Sequence, residues 1–485
     1  MKAVKKALFY VSLLVVVTCL FLPNPLRAAV IKDVQSGAVT INAVSGIPVN
    51  VALTPVVPAN AFLIFTTNPG SFDSPVSTMV TGQITSGGVS VSFSTAAVPA
   101  NPINVVIQWY VAEFSSGVTV IQGTTPITAT TTNIPLSPAN QNSVPIISYM
   151  DSDTTYGAGD FVDAAITNSG GTLQLNLDGN ATVPTSATVN YQVVQFDNSV
   201  SVQSGVSPVE APDVGIDVPL TTTVNPDQSW LLFTNTSSFA STDMRQSLMM
   251  GTVATNSLSF NRGRSGASVL NLSWSLIQFL DGTTVQSGAQ NFQTTDFSSL
   301  VPLSTIVNNQ TIASGGGLYY SGGDVLSVNS TSPGVAMGTY SLGTGSTSTN
   351  LQIARANDIG TGVGSGAESA DMGWFVVQFP LATSTPTNTA SSTATNTATE
   401  TATNTATNSS TNSPTSTPTS SATNTATSTP TFTATSTPQA RLVLSWNDEP
   451  TSQNYLFNQT NVTGIQVVLT ALGQEPVSVS QIDFG

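Results

Sequence analysis

Histidine is absent from this 485-residue chain, and cysteine occurs once, at Cys19. Without either in its folded part a protein has no imidazole base, no thiolate nucleophile, no disulfide and no Cys/His metal centre, which removes most nucleophilic and zinc chemistry. Charge is scarce as well: only 7% of residues are Asp, Glu, Lys or Arg, ten basic against twenty-five acidic, for a formal net charge of -15. Nucleic acid is excluded as a partner, because phosphate binding needs clustered Lys and Arg. Beyond residue 22 no apolar run approaches the ~20 residues of a membrane-spanning helix, so the mature chain is expected to have no transmembrane helix. Helical periodicity is missing throughout.

What is present begins with an address. Lys2, Lys5 and Lys6 precede an apolar run from Ala7 to Leu22, followed by Pro23, Pro25 and the small pair Ala28 and Ala29. This is the pattern of a secretory signal peptide over residues 1–28, removed after Ala28 or Ala29, and it predicts a secreted or cell-surface protein. Cys19 lies inside that run behind Val17 and Thr18, which do not supply the small residue that lipid attachment wants. A weakly acidic surface wetted by Thr, Ser, Asn and Gln suits a secreted location.

The chain then repeats itself. Asn271–Gly288 reads NLSWSLIQFLDGTTVQSG, and related stretches fall at residues 104–123, 189–205 and 372–380. The marker glycines Gly37, Gly123, Gly205 and Gly288 are separated by 86, 82 and 83 residues, and Pro48, Pro135, Pro219 and Pro302 by 87, 84 and 83. Two markers on one period of this length define domain-sized repeats rather than solenoid coils. Each holds about six short stretches rich in Val, Ile, Thr and aromatics between Gly, Ser, Asn and Pro clusters. The fold class is therefore all-β: tandem β-sandwich repeats over residues 29–114, 115–196, 197–279 and 280–380. Leu280-Asp281-Gly282 has the composition of a hairpin turn and would pair the last strand of one repeat with the first of the next, in a linear array. The alternative is a permuted domain in which the first Val-Gln-Ser-Gly strand completes the last repeat and closes a ring.

From residue 383 to 438 the composition changes to Thr, Asn, Ala, Ser and Pro in short repeats such as TATNTAT and TSTPT. No core can form from these residues, so a disordered, extended linker is expected, and its hydroxyls suit O-linked sugars. Residues 439–485 return to strand-like ARLVLSW, GIQVVLTAL and VSVSQIDF, the start of a further β-sandwich and too short for a complete one. In these features the chain resembles bacterial secreted or cell-surface modular proteins with tandem immunoglobulin-like β-sandwich repeats and a Thr/Pro/Asn-rich stalk.

Candidate chemistry is thin. Trp109, Trp274 and Trp374 share one repeat position, with Tyr191 in the second copy; they could stack on sugar rings or plug the sandwich cores. Phe114, Phe196, Phe279 and Phe379 stand an odd step further on and face the other way in a regular strand, so both sets fill one core only if a bulge intervenes; otherwise the Phe set serves the junction between repeats. Glu113 is matched by Gln195, Gln278 and Gln378, a pattern that does not fit a catalytic carboxylate. Asp151, Asp153, Asp160 and Asp163, around Gly157 and Gly159, form the densest acidic cluster, a calcium candidate private to the second repeat or a solvated turn. Arg262 and Arg264 are expected to be solvated in a Gly-bearing turn, and the glycine runs near Gly315 and Gly322 lack a phosphate-loop context.

These residues predict a non-enzymatic protein of structural or adhesive role, acting on cell-envelope or extracellular polysaccharide or protein partners and needing no cofactor unless calcium binds. The alternative is the non-catalytic front of a polysaccharide-active enzyme whose catalytic domain lies beyond residue 485.

Overall fold

The computed structural model describes residues 29–42, 47–69, 75–96, 104–153, 157–184, 186–238, 244–262, 265, 268–293, 296–320, 338–355, 369–381, 441–447 and 466–472. The signal segment, the stalk and Arg264 lie outside them. The chain divides into two units, Met1–Ser391 and Ser392–Gly485. In the second, Arg441–Asn447 and Gln466–Leu472 pair antiparallel. No helix among the described residues is long and apolar enough to cross a membrane.

The first unit is all-β. Its opening block holds β1 (Val30–Asn42), β2 (Val49–Ala52), β3 (Ala61–Pro69), β4 (Thr81–Ile84), β5 (Ser90–Ser94) and β6 (Asn104–Ser116). Next come β7 (Val118–Pro126), β8 (Thr131–Pro135), β9 (Ser143–Met150), β10 (Asp163–Thr167), β11 (Thr172–Asn176) and β12 (Thr188–Phe196). The third block has β13 (Val200–Val209), β14 (Gly215–Pro219), β15 (Ser229–Ser237), β16 (Met250–Val253), β17 (Ser257–Asn261) and β18 (Leu270–Phe279). The fourth has β19 (Thr284–Phe292), β20 (Ser298–Val307), β21 (Thr311–Tyr320), β22 (Gly338–Leu342), β23 (Thr347–Arg355) and β24 (Ala370–Gln378). In every block the first strand pairs with the sixth and the sixth with the third, while the second pairs with the fifth and the fifth with the fourth. The central strand of the second sheet alternates buried and wetted residues, as β5, β11 and β17 do, because that sheet packs on one face only. The sixth strand is instead buried almost continuously, in β6 from Trp109 to Phe114, so both its faces are covered.

This pairing corrects the hairpin expectation. Asp281-Gly282 does turn the chain, with Gly282 at φ +97°, but β18 pairs with β13 and β15, and β19 pairs with β24. Each Val-Gln-Ser-Gly strand closes onto the last strand of its own block, placing Gly37, Gly123, Gly205 and Gly288 opposite Trp109, Tyr191, Trp274 and Trp374.

The blocks also close on one another. A short turn before the third strand packs on the first strand of the following block: Pro58–Asn60 on β7, Pro226–Gln228 on β19, and Asn308–Gln310, in the last block, on β1 of the first. Ile31 N–H donates to the carbonyl of Pro380 at 3.2 Å, and Ile31 forms a parallel bridge with Leu381. At the centre Phe114 meets Phe379 edge-on at 5.1 Å, Phe379 meets Phe279 at 5.8 Å, and Phe279 meets Phe196 at 6.1 Å. Phe62 of the first block stacks on Trp230 of the third at 6.2 Å. A linear array would leave those four Phe side chains wet; here a closed ring buries them in a shared core. The odd spacing between the Trp and Phe sets decides this, because Trp109 and Val111 enter the first block's own core while Tyr110, Ala112 and Phe114 enter the common one.

Candidate functional site

In the first, third and fourth copies the Gly, Trp and Gln of the repeated motif are packed or hydrogen-bonded within their own block. An ideal Cβ on Gly37, Gly205 or Gly288 would lie 2.9, 2.7 or 2.8 Å from a ring carbon of Trp109, Trp274 or Trp374, so the indole lies flat over the strand only where the side chain is missing. The neighbouring Gln copies a strand edge. Gln35 donates to Thr54 O and accepts from Thr54 N–H; Gln203 does the same at Thr222, and Gln286 at Ser304, all at 2.8–3.3 Å. Trp109, Trp274 and Trp374 are 5%, 8% and 8% exposed. Rings so covered offer no open face for a sugar to stack on.

The Glu/Gln position holds the turn before the third strand. Glu113 accepts from Val57 N–H at 2.9 Å, Gln378 accepts from Val307 N–H at 3.1 Å, and Gln195 donates to Pro138 O at 2.8 Å. Glu113 adds an ion pair with Lys32 at 2.9 Å.

The residue after the core aromatic faces the ring junction, and its chemistry varies from block to block. Tyr110 donates its hydroxyl to Tyr340 O at 3.0 Å and accepts from Leu342 N–H at 3.1 Å, joining the first block to the fourth; burial pushes its phenol well above the usual value. Gln192 brackets Leu63, accepting from its N–H at 2.7 Å and donating to its carbonyl at 2.8 Å, which joins the second block to the first. Phe375 fills the same position in the fourth block. In the third the position is Ser275, and there a cleft of about 340 Å³ opens between the first three blocks. Leu63, Ile64, Ile146, Phe233 and the hydroxyls of Thr66 and Ser148 line it, and Tyr149 is the one titratable side chain among the described residues that line it. That phenol donates to Gly159 O at 3.0 Å; desolvation, and then the carboxylates of Asp151, Asp160 and Asp153, push its pKa far up.

The acidic cluster is not one site. Asp163 is turned away from the others: its carboxylate accepts from Ser273 N–H at 3.1 Å, Ser273 Oγ at 2.6 Å and Thr234 Oγ1 at 3.1 Å, fastening the second block to the third. Burial raises its pKa and these donors oppose the shift. Asp151 and Asp160 are buried side by side. Asp160 accepts from Gly157 N–H at 2.6 Å through Oδ2, while its Oδ1 and Asp151 Oδ2 have no hydrogen-bond donor among the described residues. Desolvation, followed by the hydrogen bond and charge of Asp151, drives the Asp160 pKa far above the carboxylate range, as expected of a pair sharing one proton. Asp153 gives its N–H to Asp151 Oδ1 at 3.0 Å. Among the described residues no group of three or more His, Cys, Asp or Glu side chains converges as a metal would require.

Arg262 overturns the solvated-turn expectation. It is 2% exposed and donates to the carbonyls of Asp213 at 2.6 Å, Ser268 at 2.7 Å, Glu210 at 3.1 Å and Gln246 at 3.2 Å. Arg355 takes the same place in the fourth block, donating to Asp296 O and Gln293 O at 2.7 Å, with Phe292 under its guanidinium at 5.4 Å. The signal was the shared position at the end of the fifth strand, in LSFNR and LQIAR.

Compared with known proteins, the chain matches no family model, and no curated protein matches it significantly.

Proposed function

We propose that this is an exported surface protein whose four repeats form one closed, non-catalytic head carried on the Thr/Asn-rich stalk, with a structural or adhesive role. One observation carries the reading: buried polar side chains such as Tyr110, Gln192 and Asp163 join one repeat to another, and among the described residues no group of three or more His, Cys, Asp or Glu side chains converges. Each repeat is read as an immunoglobulin-like sandwich in permuted order. If the first strand takes the place of the last immunoglobulin strand, the pairing first–sixth–third becomes G-F-C and second–fifth–fourth becomes B-E-D. A head of this kind contacts its polysaccharide or protein partners through its rim.

The test is deletion of residues 29–381 from the protein in its producing cell, followed by surface labelling of the remainder and an adhesion or envelope-integrity assay. Unchanged adhesion and envelope, or hydrolysis of a polysaccharide by the intact chain, would refute this function.

A further inference from the structure

We propose that the Ala28–Ala29 bond is the processing site of the chain, and that the amine released there latches the ring shut on Asp281. Ala29 is completely buried, and its nitrogen donates to Asp281 Oδ2 at 3.0 Å across 252 residues of sequence. Asp281 belongs to the turn between the third and fourth blocks. Its other oxygen, Oδ1, accepts from Thr283 N–H at 3.0 Å and Thr283 Oγ1 at 2.7 Å. Asp197, at the matching turn one block earlier, does the same local work through one oxygen, accepting from Ser199 N–H at 3.1 Å and Ser199 Oγ at 2.8 Å. The contact to Ala29 is therefore an addition to the turn. Two residues on, Ile31 is bonded to Pro380 O, so residues 29–31 run between the end of the last block and that turn.

Within an uncut chain the Ala29 nitrogen is an amide with one N–H and no charge. Hydrolysis of the Ala28–Ala29 bond consumes one water, leaves a carboxylate on Ala28 and gives Ala29 an amine that takes up a proton. The hydrogen bond to Asp281 then becomes charge-assisted, a stronger class of interaction. Counter-charge is scarce here: of the ten Lys and Arg residues, Lys2, Lys5, Lys6 and Arg27 precede the cut. The sequence allows removal after Ala28 or after Ala29. Only the first puts the amine on the atom that touches Asp281; the second removes that atom.

Cleavage of that bond by an export peptidase rests on the export reading; the pairing of the Ala29 nitrogen with Asp281 does not. The full chain from Ala29 to Gly485 is prepared with a free amine, with an acetylated amine and with Ala28 retained, each with Asp281 and with Asp281→Asn, and its unfolding is measured. The free-amine chain is expected to have an unfolding constant roughly tenfold below that of either blocked chain, and Asp281→Asn to abolish that difference. Equal stability of free and blocked chains, or an equal loss from Asp281→Asn in all three, overturns the latch. Acetylation changes no residue, so the comparison survives even if the Asn variant fails to fold. N-terminal sequencing of the exported protein is expected to begin at Ala29; a start at Val30, or retained residues 1–28, overturns the processing site, and retention beside a working latch would place the failure in the export reading.

Discussion

Closure of the ring can be tested by asking whether its first and last repeats feel one another. Phe114 ends the sixth strand of the first block and Phe379 follows that of the fourth, and their rings meet edge-on at 5.1 Å. Both are almost fully buried, at 2% and 0% exposure. Phe→Leu at either position keeps most of the volume and removes the aromatic pair, at a cost of about 1 to 2 kcal/mol each. In the double variant the pair can be lost only once, so the two losses should fall short of additivity by ~0.5 to 1.5 kcal/mol, the usual worth of an edge-to-face pair. Guanidinium titration followed by tryptophan fluorescence reads this directly, since Trp109, Trp274 and Trp374 are all buried. Phe233 and Phe260, at 5.2 Å within the third block, provide a positive control, and Phe93 with Phe260, in different cores, a negative one. Strict additivity for Phe114 and Phe379 alongside coupling in the positive control would refute the shared core and restore independent repeats.

Three further outcomes follow from particular side chains. Arg262→Met leaves four backbone carbonyls without their donor and should cost about 3 kcal/mol by denaturant titration, with Arg262→Lys recovering little because an ammonium cannot reach all four; a loss under ~0.5 kcal/mol would contradict the buried geometry. Gly205→Ala drives a methyl against Trp274 and should cost ~1 to 3 kcal/mol, an effect Trp274→Leu should largely relieve; a neutral Gly205→Ala would mean the indole is not packed there. For Asp160 the folded pKa is raised, so the folded state holds a proton that the unfolded state releases above about pH 4. Its contribution is complete below that pH and is lost as pH climbs toward the folded value, by at most ~1.4 kcal/mol per unit. Asp160→Asn mimics the protonated acid and should flatten this decline, gaining stability over wild type as pH rises from 5 to 8, while a chelator leaves melting unchanged. Melting that rises on adding calcium, or no relative gain for Asn, would refute the shared proton.

Much of this fold was legible because it obeys local rules. The period and the odd step from Trp to Phe are consequences of strand geometry, and the second already left a junction or a bulge as the two ways to accommodate Phe114, Phe196, Phe279 and Phe379. The mode of joining was not legible. An Asp-Gly turn reads as a hairpin whichever strands finally pair, and the competition is decided by which partner buries the sixth strand's second face, a tertiary matter. Arg262 and Asp163 were missed for a related reason. A charge in a polar loop reads as solvated, and only its partners, carbonyls from three separated loops for Arg262 and hydroxyls of the next block for Asp163, reveal that it is a fastener.

That contrast explains why the cleft lies where it does. Along the sixth strands the position after the aromatic is Tyr110, Gln192, Ser275 and Phe375, and the three large side chains fill or bridge their junctions while the small one leaves space. The cleft is thus a place where the repeat fell short of filling its own ring, and its lining of apolar groups and hydroxyls follows from the strands already there. Ser275→Gln should then act as Gln192 does, closing the gap and raising the stability of the third block by ~0.5 to 2 kcal/mol if the amide finds the exposed main chain of β9. A loss on substitution would mean that the space is held open against packing, and would make the cleft the first place to look for a ligand.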